Sequence, residues 1–275
     1  MSKIASKSWE DASEEQEWRT KYLTQLGMLK LRQEFMDEQF SLLDFNSINH
    51  VLEIGCGLGN DAVLLIKHLK PGSTYLGVDI DSSLVEKANE LFKKENVIHI
   101  ARAETRDALS MPIIPNSTDL MLIHRVLEHL KDPLLVTKRV FELLKPGGQF
   151  LCIEPDWATI SLNHPDVELN LRMLNVLATD VFNWGSAGTK LREWFVNSGF
   201  LINHIKTFST PFLDFNFANF TFGLHRLEKF AVELGKISQE EATRWMRGLE
   251  ETAKNDFFFG SLTMVILIGK KPLEK

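Results

Sequence analysis

Short apolar runs alternate with amphipathic stretches along this chain. Val51-Leu52-Glu53-Ile54 is an apolar run carrying one acid, and 61–69 after it reads as a helix. Further runs of strand length stand at 74–80, 97–101, 119–123, 149–154, 200–208 and 261–269. Between them, 84–94, 134–144 and 190–195 carry helical patterns, the last ended by Gly199. Upstream, 10–45 places Trp18, Tyr22, Leu26, Leu29, Phe35 and Met36 at helical spacing. Two more helical stretches interrupt the alternation: 165–182, and a capping box at Ser238-Gln239-Glu240-Glu241 that opens the stripe Ala242, Trp245, Met246, Leu249. Strand and helix in turn predict a parallel sheet under right-handed crossovers, with ligands at the carboxyl ends of the strands.

The sharpest local feature is the turn Gly55-Cys56-Gly57-Leu58-Gly59-Asn60 between the first strand and the first helix. Glycines let a ligand approach where a Cβ would push it away, and the free N–H groups of a helix start can point at it. The dinucleotide pattern G-x-G-x-x-G wants its third glycine at position 60, where Asn60 stands. Glu53, two residues before the first glycine, would repel a pyrophosphate and suits a cation beside an adenosine. S-adenosylmethionine carries a sulfonium and an ammonium. The spacing E-x-G-x-G-x-G resembles motif I of the class I S-adenosylmethionine-dependent methyltransferases.

The resemblance continues in order over about 50–270. Asp79, 20 residues beyond Gly59, ends the second strand as an acid that can accept from both ribose hydroxyls, with Ile80 after it. Lys145-Pro146-Gly147-Gly148 before the fifth strand is a frequent family marker, and the step ending in Ser198-Gly199-Phe200 resembles the ubiquinone/menaquinone-biosynthesis (type 11) small-molecule group. This resemblance implies an α/β, Rossmann-like fold: a doubly wound, seven-stranded, mostly parallel sheet with its last strand antiparallel. It implies a methyltransferase domain at 49–275 with helical insertions at 157–184 and 210–255, and an N-terminal helical cover at 1–48. In such relatives an N-terminal helix closes over the cofactor, which would put Tyr22, Gln25 and Arg32 beside it. Arg102-Ala103-Glu104 stands where the family usually reads Asp-Ala-Glu. Arginine has no acceptor, so Glu104 is expected to accept from the adenine amine, the Ala103 N–H to meet a ring nitrogen and Arg102 to stack. The backbone of Ile123, His124 and Arg125 is expected at the methionine end. With Glu53, Gly55, Cys56, Gly57, Asn60, Asp79 and Ile80, these residues make the expected cofactor site.

Composition narrows the chemistry. A chain of 275 residues that is 44% hydrophobic can bury a sizeable core, and a net charge of −6 argues against a broad nucleic-acid surface. Cys56 and Cys152 are the only cysteines, without metal-type spacing. His124 and His129 would diverge by roughly 140° on a helix, so no metal is expected. There is no N-terminal apolar region of signal type, and 262–268 is too short to cross a bilayer. A cytoplasmic monomer or homodimer without a membrane partner is the expectation. Its expected reaction moves a methyl group from S-adenosylmethionine to a small, apolar or aromatic acceptor by in-line displacement, leaving S-adenosylhomocysteine. The alternatives are a protein methyltransferase of the same fold or an inactive cofactor-binding regulator; Glu53 and the position of Gly59 disfavour an NAD-dependent oxidoreductase. Such displacement needs alignment and exclusion of water, and a base only if the acceptor arrives protonated. His129, Asp156, His164 and His225 are base candidates by type. His124 and Asp156 have the better case because both follow core strands on the active edge, and the sequence singles out no catalytic residue. The phenylalanines at 208–222 and 257–259 serve either as the core of an insertion or as the wall of an aromatic acceptor pocket.

Overall fold

The structure, a computed structural model, describes residues 16–27, 30–110 and 114–273, with side chains from 20 to 25 and from 33 onward in those ranges. The first fifteen residues of the expected cover and the Arg32 side chain lie outside the described residues. Two helices lead, α1 (Gln16–Gly27) and α2 (Lys30–Phe40). Then come β1 (His50–Ile54), α3 (Asn60–Ile66), β2 (Thr74–Asp79), α4 (Ser82–Lys94), β3 (Ala101–Thr105) and β4 (Thr118–His124). The second half holds α5 (Pro133–Leu143), β5 (Leu144–Leu162), α6 (Val167–Val176), α7 (Ala187–Ser198), β6 (Leu201–Phe212), α8 (Phe215–Phe222), α9 (Leu224–Glu233), α10 (Gln239–Lys254) and β7 (Gly260–Lys270). All seven strands form one sheet in the order β3-β2-β1-β4-β5-β7-β6. Only β7 runs antiparallel to its neighbours, as the resemblance implied. The order reverses between β1 and β4, which opens a crevice at the carboxyl ends of β1, β2 and β4.

Polar residues at the element ends fix these boundaries. Asp81 accepts from the Ser83 and Leu84 amides at the start of α4, and Asp132 from Leu135 ahead of Pro133 in α5. The capping box of α10 forms as read, Ser238 and Glu241 each bonding the other's backbone N–H. One face of the sheet buries Met36, Phe40, Ile48, Leu65, Tyr75 and Phe92. The other buries Met121, Phe150, Trp194, Phe195 and Phe200. A third cluster, with Trp157, Met173, Leu224, Trp245 and Leu249, belongs to the helices after β5 and β6. Phe222 and Phe258 are buried in it and Phe212 and Phe215 pack on it, whereas Phe208 packs on the first cluster and Phe257 and Phe259 are exposed, so the phenylalanine belt is divided between core and surface.

Three expected strand bounds are corrected. The third strand is Ala101–Thr105, four residues beyond the expected start at 97. Asn96 takes a left-handed φ of 58°, and the Val97 amide returns to Phe92 O at 2.9 Å, closing α4 with a Schellman-type turn. Val97 to Ile100 then spend their hydrophobicity on that turn, where Ile98 is exposed. β5 also runs past 154 to Leu162, held by β7 through Asp156 and again at Ser161 and Leu162. Likewise β6 reaches Phe212, so the helical segments start at Val167 and Phe215.

Candidate functional site

The crevice at the switch point is a cavity of about 200 Å³. Its floor is the end of β1 and the glycine turn. Gly55 and Gly57 have φ of 75° and 51°, in the region L side chains avoid. The Gly57 N–H donates to Asp79 Oδ2 at 2.9 Å, and the Asp81 N–H to Asp79 Oδ1 at 3.0 Å. Burial pushes the Asp79 carboxyl above the usual range against these two bonds. Glu53 is 2% exposed yet lines the cavity, and the buried Tyr75 hydroxyl donates to it. His124, ending β4, sits on the wall with its Nδ1 2.8 Å from Asp61 Oδ2 of α3. From α1, Tyr22 and Leu23 close the opposite side, and the Asn60 amide donates to Leu23 O at 3.3 Å.

Of the residues expected from sequence, Tyr22, Glu53, Gly55, Cys56, Gly57, Asn60, Asp79, Ile80, His124 and Arg125 are brought together around this cavity. Gln25 is exposed on α1 and outside the lining. Arg102, Ala103 and Glu104 are also outside it, because β3 starts later than expected and they lie within the strand. The Ala103 N–H is taken by Asn89 Oδ1 at 3.0 Å, and Glu104 is paired with Arg102 at 2.9 Å and Arg106 at 2.5 Å. The residues that follow β3 into the cavity are Arg106, Asp107 and Ala108. Sequence reasoning missed them, and also Asp61; the Asp107-Ala108 dipeptide was the available signal. An adenosine with a cationic side arm fits this donor set. Glu53, Asp61, Asp79 and Asp107 supply carboxylates to the lining of the cavity, where a pyrophosphate would be repelled.

A second cavity of about 70 Å³ adjoins the first and shares Tyr22, Arg125 and His129 with it. Trp157, Phe182, Phe222 and Phe230 make its wall. The junction is built on the turn after β4, where Arg125 has a φ of 60°, an uncommon backbone for a residue with a Cβ. Glu154 of β5, fully buried, holds this turn. Its carboxylate accepts from the N–H groups of Val126 (2.9 Å), Leu127 (2.7 Å) and Glu128 (3.4 Å). Glu128, also fully buried, accepts from Trp157 Nε1 at 2.5 Å and lies 3.7 Å from Arg125 Nε. Arg125 Nη1 donates to the Tyr22 hydroxyl at 2.6 Å. Burial, then the neighbouring Glu128, raises the Glu154 carboxyl to about 8. Burial, then Arg125, pushes the His129 imidazole down to about 3, so it is neutral at physiological pH. Burial opposes the Arg125 charge, but Tyr22 and Glu128 outweigh it and keep the guanidinium cationic.

His129 is the one base candidate of the four that lines a cavity. Asp156 is buried, accepting from the Thr189 amide at 2.8 Å. His164 is buried with Nε2 2.9 Å from Trp245 O, and His225 is exposed near Glu228.

Residues 46–199 match the family profile described as a methyltransferase domain. An uncharacterized 37.1 kDa protein in a transposon of Streptomyces fradiae is 25% identical over 98% of this chain and 75% of its own length. A demethylmenaquinone methyltransferase of Lactococcus lactis is 28% identical over 48% of this chain, which spans about half (52%) of that relative. Among solved structures, the YcgJ protein of Bacillus subtilis superposes with a TM-score of 0.60 at 18% identity, covering 87% of this chain and 98% of that one. A geranyl diphosphate methyltransferase in complex with GPP and sinefungin has a TM-score of 0.54 at 13% identity, covering 88% and 78%. The profile match spans more than half of the residues, and it falls on the strands and turns that build the crevice: the chain belongs to the class I S-adenosylmethionine-dependent methyltransferases.

Proposed function

We propose that the chain methylates a small, apolar or aromatic molecule without a metal, with the cofactor in the larger cavity and the acceptor in the smaller one. The observation that carries this reading is the meeting of an acid-lined cavity and an aromatic one at Tyr22, Arg125 and His129. When bound, S-adenosylmethionine supplies a methyl carbon activated by positive sulfur. Glu53 and the His124–Asp61 pair hold the cationic methionine end, and Asp79 accepts from the ribose. Ile80 and Ala108 flank the adenine, whose amine donates to Asp107 in place of Glu104. Aromatic walls exclude water from the junction, where alignment rather than a base does most of the work. Of the expected cover, α1 and α2 lie over the domain, and the helices after β5 and β6 are insertions that build the acceptor wall.

Titration calorimetry with adenosylhomocysteine and with NAD tests the cofactor placement. Adenosylhomocysteine is expected to bind; binding of NAD alone would remove the reading. Asp107→Ala is expected to weaken adenosylhomocysteine about tenfold, one lost hydrogen bond at about 1.4 kcal/mol, while Glu104→Ala leaves it unchanged. The reverse pattern would return the adenine to β3.

A further inference from the structure

Beneath the glycine turn, one core hydroxyl is directed at the site. In the parallel register of β1 and β2, Val51 stands beside Tyr75 and Glu53 beside Gly77, so these four residues share one face of the sheet. Tyr75 is 1% exposed and reaches along that face past Gly77 to donate its hydroxyl to Glu53 Oε2. Gly77 leaves the room for it. A Cβ there would stand 3.0 Å from the Tyr75 oxygen, 2.8 Å from Cys56 Sγ and 2.7 Å from Cys56 Cβ. Phe92 of α4 meets the Tyr75 ring edge-on, with centroids 6.0 Å apart and planes at 82°. Burial, then the neighbouring Glu53, pushes the Tyr75 hydroxyl well above its ordinary value, so it keeps its proton and is the donor. Glu53 is buried and yet lines the larger cavity. A carboxylate taken so far out of water is tolerated only where donors or cations meet it. Core packing alone asks for no hydroxyl here, since a phenylalanine ring fills nearly the same volume.

We propose that Tyr75 is a positioning residue for the cofactor: its hydroxyl fixes the Glu53 carboxylate toward the cavity, and so sets how strongly the site selects an adenosine that carries an ammonium over one that does not. This rests on the placement of the cofactor in the larger cavity. Tyr75 lies outside the cavity lining, so it acts on a bound nucleoside through Glu53. The carboxylates assigned to the ribose and the adenine are held differently. Asp79 accepts from the Gly57 and Asp81 N–H groups, and Asp107 from that of Leu109. The effect of Tyr75 therefore falls on the amino-acid tail and not on the nucleoside. Without the hydroxyl, the buried Glu53 charge loses a donor and the carboxylate can turn from the tail.

The test is calorimetry on the full chain with two nucleosides: adenosylhomocysteine, which ends in an amino acid, and methylthioadenosine, which ends at the thioether methyl. The ratio of their affinities reads the tail. Tyr75→Phe keeps the ring and is expected to lower that ratio at least about tenfold, the size of one hydrogen bond to a charged group, with methylthioadenosine within about twofold of the parent. Glu53→Gln is expected to lower the ratio as well, and the double variant no further than Glu53→Gln alone. Equal changes for both nucleosides, an unchanged ratio, or additive losses in the double variant would make Tyr75 a packing residue and overturn the proposal. Should Tyr75→Phe not fold by circular dichroism, the parent is read by magnetic resonance. The chain has two tyrosines, so isotopic labelling at the phenol carbon gives two signals, and Tyr22→Phe identifies that of Tyr75. That signal is expected to move with adenosylhomocysteine and to stay with methylthioadenosine; the same response to both overturns the proposal. Binding of both nucleosides with an unaltered ratio in Tyr75→Phe removes this inference alone. Failure of both to bind the parent removes the cofactor placement, and this inference with it.

Discussion

Gly55→Ala is expected to lose about 2–5 kcal/mol of unfolding stability, whereas Gly57→Ala loses about 1–2 kcal/mol and instead weakens adenosylhomocysteine at least tenfold. Both glycines have positive φ, and a Cβ in that region costs about 1–2 kcal/mol at either position. Their surroundings differ. A Cβ on Gly55 would stand 2.2 Å from Val126 Cγ2, and Val126 cannot retreat because its own N–H is bonded to Glu154. Relieving that overlap adds about 1–3 kcal/mol. A Cβ on Gly57 meets only Leu23 Cδ1 within 4 Å, at 3.3 Å, the flexible end of a side chain on α1. The methyl group therefore fits the protein but enters the space assigned to the ligand. A tenfold loss of affinity is about 1.4 kcal/mol, a modest demand for a steric intrusion. Urea midpoints and calorimetry on the two variants measure both quantities. Unchanged affinity in Gly57→Ala would put the ligand elsewhere than on this turn.

The contrast also marks what the sequence could carry. The turn was legible because its constraints are local: a strand end, an acid and glycines spaced so that only a few ligands suit them. Asp79 was legible for the same reason. The adenine end was not. Val97-Ile98-His99-Ile100 outweighs Ala101-Arg102-Ala103 in hydrophobicity, so the strand was placed on the richer run. The left-handed Asn96, which turns that run into the end of α4, leaves no decisive mark in composition. One displaced strand put Glu104 at the cavity edge where the structure puts Asp107. The smaller cavity lay further beyond reach. Its walls come from α1, the turn after β4, β5, the π-turn Leu177–Val181, α8 and α9, brought together only by the tertiary fold. Arg125 was expected to offer its backbone to the methionine end; its left-handed φ and its place between two spaces were not legible.

Removing the group that holds the turn at Arg125 should have the largest effect of any single change. Glu154→Ala is expected to cost about 3–5 kcal/mol, because three buried N–H groups lose their acceptor at once. Glu154→Gln keeps one acceptor oxygen and is expected to cost about 1–2 kcal/mol. The two differ further in pH dependence. The folded Glu154 carboxyl sits at about 8 against an ordinary 4.5, so the native state holds a proton that the unfolded chain releases. Stability from this group is present below about 4.5 and is lost as the pH rises toward about 8. Asp119 works in the opposite direction at lower pH. Burial pushes it up, but Lys145 at 2.7 Å and the His50 and Asn49 N–H groups outweigh that and hold it below the usual range. Its contribution is lost only as the pH falls below about 4, outside the Glu154 window. His129, held at about 3 against an ordinary 6.5, adds stability as the pH rises toward 6.5, so the window for Glu154 lies above it. Urea midpoints taken between about pH 7 and about pH 9 should therefore fall for the parent and flatten for Glu154→Gln. An identical slope in both proteins would mean that Glu154 is ionised throughout. The N–H groups of Val126, Leu127 and Glu128 would then hold a full negative charge, which their hydrogen bonds to Glu154 favour.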